Sequence, residues 1–170
     1  MALVVMTVGI PGSGKSHLKE QLEKRLDDLV NIEPDDIRRE VFGDVNEQRD
    51  GHKIFKIAEE RALDAIIDDK TVYFNAMNIS FKNLVRYKAI FPCKVIFILM
   101  EDSKDLKLCQ KRVATDLEKG KDRSALTDSI IENKFIKYHN CIDRIENSDL
   151  VYHKYDGDIE KLIDFINVNR

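Results

Sequence analysis

The chain has 170 residues, 43% hydrophobic and 35% charged, with a formal net charge of −3. That length fits one domain with a real core, and the mildly acidic balance argues against a protein that coats nucleic acid nonspecifically. The longest apolar runs, ALVVMTV and KVIFILM, are too short to cross a bilayer, and no secretion signal is expected at the start. The three cysteines, Cys93, Cys109 and Cys141, lie far apart in sequence. They suit neither a disulfide framework nor a zinc site, so a reducing cytoplasm is the expected setting.

The pattern along the chain alternates between strand and helix periods. Residues 2–8 are apolar and rich in β-branched side chains, which predicts a buried strand. Residues 15–28 predict a helix, with Leu18, Leu22 and Leu26 on one face. A short strand at 29–33 follows, and Pro34 suits the first turn of a helix through about Phe42. A long helix is expected at 50–68, where Ile54, Phe55, Ala58, Ala62 and Ile66 form a stripe. Strands are expected at 71–75, 94–100 and 149–155, and helices at 80–90, 103–118, 127–146 and 158–167. Strand, helix, strand, helix means right-handed crossovers and a mainly parallel five-stranded sheet in a three-layer α/β/α fold. In such sheets ligands bind beyond the carboxyl ends of the strands. Residues 9–16, 35–38 and 75–78 should therefore share one edge.

The stretch GIPGSGKS at 9–16 fits G-x-x-x-x-G-K-[ST] in full, between an apolar strand and a helix. Gly9, Gly12 and Gly14, with Pro11 and Ser13 between them, let backbone N–H groups turn toward phosphate oxygens. The helix that starts near Lys15 adds its positive end. Lys15 would neutralise the β- and γ-phosphates of ATP, and the Ser16 hydroxyl would ligate Mg²⁺. His17 follows directly and is a candidate neighbour of the nucleotide. With this motif the chain resembles the P-loop kinases that phosphorylate nucleotides, nucleosides or nucleic-acid ends.

The acceptor side is expected in NIEPDDIRRE. Asp35 and Arg38 suit a proton acceptor and a bidentate phosphate ligand one turn apart. Acids at a helix start also serve as plain dipole partners, so spacing alone leaves both readings open. Residues 1–40 resemble the kinase domain of bacteriophage 5'-polynucleotide kinases, with a P-loop, helix, short strand and Asp-Asp-x-x-Arg segment in the same order. The resemblance implies that Asp35 is the general base and that Arg38 grips the acceptor phosphate. VYFNAMNIS at 72–80 is similar to a strand-end D-A-T-N segment of such kinases, matching at Ala76 and Asn78. Asn75 stands where that pattern has an acid, so either Asp35 carries more of the metal binding, or the protein works slowly or on a different acceptor. Asn75 and Asn78 are candidate acceptor-side residues, with ordinary turn roles as the alternative.

The resemblance also implies a helical lid at about 107–127. Arg112 and Arg123 are its candidate arginines, because developing phosphoryl charge needs such donors. Residues 155–158 resemble the turn near the ATP base in deoxynucleoside and thymidylate kinases. The expected function is transfer of the γ-phosphate of ATP to a nucleotide or nucleoside, with no membrane partner and with a homodimer compatible with the resemblance. A 5'-hydroxyl polynucleotide kinase is the alternative, favoured by PDDIRRE and opposed by the lack of a strong basic stripe. A nonkinase ATP-binding switch, or a degenerate kinase-like module, is the third reading, supported by Asn75.

Overall fold

All six residues of the first strand, β1 (Leu3–Val8), are buried. The computed structural model describes residues 1–47 and 49–170. The other strands are β2 (Leu29–Ile32), β3 (Thr71–Phe74), β4 (Lys94–Met100) and β5 (Tyr152–Tyr155). They form one five-stranded sheet in the order β2-β3-β1-β4-β5, and every pair is parallel. A strand with no polar face needs cover on both sides, and β1 has it. Leu3 and Val5 pack with Leu18 and Leu22 of α1 (Lys15–Glu23) and with Leu162 and Ile166 of α7 (Ile159–Asn169). Val4, Met6 and Val8 point to the other layer. That layer includes α2 (Pro34–Phe42), α3 (Gly51–Ile67), α4 (Phe81–Ile90), α5 (Leu106–Glu118) and α6 (Asp128–Glu146). Each such aliphatic side chain contributes about 1.5–3 kcal/mol on full burial.

The expected elements are present, with shifts that have local causes. The first helix ends at Glu23 rather than at residue 28. Two acids, Asp27 and Asp28, oppose the negative end of a helix, and Leu26 reaches the core through a turn in which its N–H donates to Leu22 O at 2.9 Å. The helix expected at 103–118 is split, because the Asp105 carboxylate caps α5 by accepting from Leu108 N at 3.0 Å. A short 3₁₀ turn, Glu101–Lys104, precedes it. Thr127 caps α6 in the same way. The last strand is shorter than expected and starts at Tyr152.

The chain leaves β1 toward β2 and β3 on one side, then crosses to β4 and β5 on the other. That reversal opens a crevice at the carboxyl end of β1. The strand-end loops there are stitched together: Gly9 N donates to Met77 O at 2.9 Å, and Asn75 N donates to Ile32 O at 2.8 Å. Residues 9–16, 35–38 and 75–78 thus share one edge, as expected. Among the described residues no helix is long and apolar enough to cross a membrane. Cys109 and Cys141 are buried and Cys93 is half-buried, all three as free thiols.

Candidate functional site

The loop at 9–16 closes tightly at the end of β1. Gly14 precedes α1 with φ 96°. Gly12 sits at φ 81°, and a Cβ there would lie 2.4 Å from the backbone oxygen of Cys109 on α5. Only glycine meets both demands, so Gly12 lets α5 press against the loop. A backbone donor inside the loop is satisfied from outside: Ile10 N donates to Ser103 Oγ at 3.1 Å. Ser13 is buried, while Ser16 and His17 lie exposed at the start of α1.

Lys15 crosses the loop it belongs to. Its Nζ donates to Ile10 O at 2.7 Å, Gly9 O at 3.2 Å and Ser13 Oγ at 3.4 Å. Tyr73, at the core of β3, fixes the lysine's backbone by donating its hydroxyl to Lys15 O at 2.9 Å. Burial pulls the ammonium down to about 8, and the nearby Arg123 charge adds to that effect. A bound polyphosphate would supply the opposite charge.

On the acceptor edge, Pro34 opens α2, and acids fill its first turn. Arg38 NH1 donates to Asp35 Oδ1 at 2.6 Å. The two residues proposed for acceptor chemistry are therefore in direct contact. Arg38 is only 12% exposed, and its Nε is buried with no hydrogen-bond partner. The next pair repeats the spacing, with Arg39 NH1 donating to the Asp36 carboxylate.

Sequence reasoning passed over Glu33. It directly follows β2 as Asn75 follows β3, and Asn75 Nδ2 donates to Glu33 Oε2 at 3.2 Å. Burial, with Asp36 and Asp35 beside it, raises the Glu33 carboxyl above its ordinary value. The acid missing at 75 has a counterpart on the neighbouring strand. The signal was in NIEPDD, whose first acid belongs to the strand end. Asn75 itself is 5% exposed. Asn78 adopts the left-handed conformation at φ 49°, and its amide donates to Thr7 O at 2.8 Å and Ala76 O at 3.3 Å. Those bonds make it a turn residue that ties two strand ends together.

The segment expected as a lid, 107–127, meets the loop from the α5 side. Arg112 NH1 donates to Gly12 O at 3.1 Å and to Asp102 Oδ2 at 2.8 Å, so it braces the loop's backbone. Arg123 NH1 donates to Asp116 Oδ2 at 2.7 Å, and its Nε is buried with no hydrogen-bond partner. The same segment also touches α2, where Arg39 Nε donates to Asp122 Oδ2 at 2.6 Å. Residues 155–158 form the turn between β5 and α7, capped by Asp158.

These residues fit a nucleotide polyphosphate. The loop offers an ammonium, a glycine cradle that a Cβ would fill, and a helix N-terminus. Arg123 adds a buried guanidinium N–H in need of an acceptor. Among the described residues no group of three His, Cys, Asp or Glu side chains gathers as a metal-binding set. Ser16 and Asp35 are oxygen donors, which suits a Mg²⁺ held mainly by substrate phosphates and water.

The sequence profile of the family described as AAA domain matches residues 4–134. A chain in the structure of the Pnkp1/Rnl/Hen1 RNA repair complex is similar to this one at 22% identity, with a TM-score of 0.73, covering 84% of this chain and 46% of that one. This chain thus spans less than half of that neighbour's length. Kti12 of Chaetomium thermophilum in complex with ADP-AlF3 is similar at 18% identity and a TM-score of 0.61, with 97% of this chain and 96% of that one covered. A gluconokinase from Sinorhizobium meliloti 1021 is similar at 14% identity and a TM-score of 0.61, with 98% and 93% covered. No curated protein sequence matches the chain. At these identities the likeness is one of fold, that of the P-loop kinases.

Proposed function

The chain belongs to the family described as AAA domain, and from that premise we propose that it is an ATP-dependent phosphotransferase acting on a hydroxyl of a phosphorylated acceptor. The observation that carries this reading is the contact between Asp35 and Arg38 on the edge that also presents Lys15. A carboxylate that takes a proton, paired with a guanidinium that binds phosphate, suits a hydroxyl with a phosphate close by. The 5'-hydroxyl end of a nucleic acid has that chemistry, and the similarity to a chain of an RNA repair complex supports it. A mononucleotide or nucleoside acceptor is the second reading, favoured by the net charge of −3 and the lack of a basic stripe.

In this reading ATP lies along residues 9–16, with its phosphates on the backbone N–H groups and Lys15. Mg²⁺, held by Ser16 and Asp35 together with phosphate oxygens, would offset phosphate charge. Arg38 binds the acceptor's phosphate and so orients its hydroxyl. Asp35 takes the hydroxyl proton as the oxygen attacks the γ-phosphorus. The bond from that phosphorus to the β–γ bridging oxygen breaks, and ADP leaves. Lys15 and Arg123 stabilise charge on the transferring group, and Arg112 keeps the loop rigid.

The test is ADP release from MgATP across a panel of deoxynucleosides, their monophosphates and a short 5'-hydroxyl oligonucleotide. Stimulation by the oligonucleotide supports the leading reading. Stimulation by one mononucleotide or nucleoside selects the second. Turnover that ignores every acceptor would overturn both in favour of an ATP-driven switch.

A further inference from the structure

The lid tip is tied to the acceptor helix by more than one bond. Arg39 grips Asp122 twice, with Nε donating to Oδ2 at 2.6 Å and NH2 donating to the Asp122 backbone oxygen at 2.9 Å. The two residues are 83 positions apart in sequence. A second strap runs alongside, with Ala125 N donating to Asn46 Oδ1 at 2.9 Å. From the other side Asp116, near the end of α5, holds Lys121 at 2.9 Å and Arg123 at 2.7 Å. Arg123 is therefore held between two anchors, and Asp116 lies one turn along α5 from Arg112, which reaches the loop at Gly12 O.

We propose that Arg39 is a positioning residue: by clasping Asp122 it holds Arg123 on the α5 side of the phosphate loop and joins the lid to the acceptor helix. The proposal rests on the phosphotransferase reading above. Asp122 is 71% exposed, and exposed ion pairs contribute little to stability. What sets this one apart is the grip on a backbone oxygen as well as a carboxylate, which fixes the tip's orientation. The preceding residue on the same helix, Arg38, contacts Asp35. One turn of α2 thus serves acceptor and lid together, and seating the acceptor is coupled to seating Arg123. A phosphoryl group in transfer carries charge that ADP lacks, so only complexes that imitate transfer should sense the clasp.

The experiment measures affinity for MgADP alone and for MgADP with aluminium fluoride. It compares the wild type, Arg39→Gln, Asp122→Ala, the double variant and Arg123→Ala. Melting temperature is recorded for each. Either clasp variant is expected to weaken the fluoride complex by about tenfold, while leaving ADP affinity and melting temperature unchanged. The double variant should be no worse than either single one, and Arg123→Ala should lose at least as much. Arg39→Lys keeps the charge but not the two-pronged grip and should remain impaired. Clasp variants that bind the fluoride complex like wild type would overturn the proposal, as would equal losses for ADP or additive losses in the double variant. A wild type that binds the fluoride complex no better than ADP alone would also overturn it. Failure of the wild type to bind ADP at all would strike the phosphate-loop reading itself.

Discussion

Lys15 and Arg123 carry like charges on two neighbouring segments, and they are held by different means. Lys15 sits on a frame of backbone: its ammonium meets the oxygens of Gly9 and Ile10, and its own carbonyl is pinned by Tyr73. Arg123 sits on a frame of side chains, with Asp116 at its guanidinium and the Arg39–Asp122 contact next to it. A backbone frame is specified by a few adjacent residues and stays rigid. A frame of side-chain ion pairs depends on residues distant in sequence, and its exposed member, Asp122, is screened by solvent. In the proposed function that contrast suits a fixed phosphate cradle facing a segment that admits substrate and then closes.

The comparison breaks most visibly at Lys15. Lys15→Ala should lower turnover by about 10³-fold or more, with the melting temperature preserved; an active, folded variant would remove the loop from the mechanism. Asp35→Asn comes next. It should slow phosphoryl transfer by about 10²–10⁴-fold and leave ATP affinity nearly unchanged, as read by pre-steady-state transfer and nucleotide titration. Loss of ATP affinity with transfer unchanged would leave Asp35 as a metal ligand only and remove it as the base.

Asn75→Asp sharpens the role of the strand ends. It would set a second carboxylate against Glu33, whose proton affinity is already raised. Without divalent cation the variant should lose about 1–2 kcal/mol at neutral pH, or roughly 2–8 °C in melting temperature. Both acids then have raised folded values, so that loss should shrink as pH falls. A pH-independent loss would point to packing instead of charge.

Burial of Lys15 predicts two opposite pH trends. Nucleotide affinity should fall as pH climbs through about 8, because the free protein then loses the ammonium. Stability should move the other way between about 8 and the ordinary lysine range, since the unfolded chain there holds the extra proton. Titrating both quantities in Lys15→Ala should flatten both trends. The smallest effect is expected far from the site, at the half-exposed Arg86, which pairs with Glu59 at 2.6 Å. Arg86→Ala should shift stability by less than about 1 kcal/mol and leave turnover alone.

How much of this was legible in the sequence follows from the same contrast. The parallel sheet could be read because β1 and β4 are apolar at every paired position except Lys94 and Thr7. The phosphate loop could be read because its parts are adjacent. The early end of α1 and the Asp105 cap were missed, since acids that stop a helix and acids that cap one look alike in composition. The Glu33–Asn75 contact could not be read from either residue alone. It exists because β2 and β3 are neighbours in the sheet and end at the same level. The Arg39–Asp122 clasp was less legible still, because nothing local in PDDIRRE or EKGKDRS says that the two meet.

The central claim is that Lys15 and Asp35 serve one transfer of phosphate from ATP to a hydroxyl. Its most direct test follows label from the γ-phosphate of ATP into a 5'-hydroxyl oligonucleotide or a mononucleoside, with wild type, Lys15→Ala and Asp35→Asn side by side. The account predicts acceptor-dependent labelling by the wild type, none by Lys15→Ala, and a residual trace by Asp35→Asn with ATP still bound. Labelling that survives in folded Lys15→Ala, or ATP bound by the wild type with no label passed to any acceptor, would contradict it.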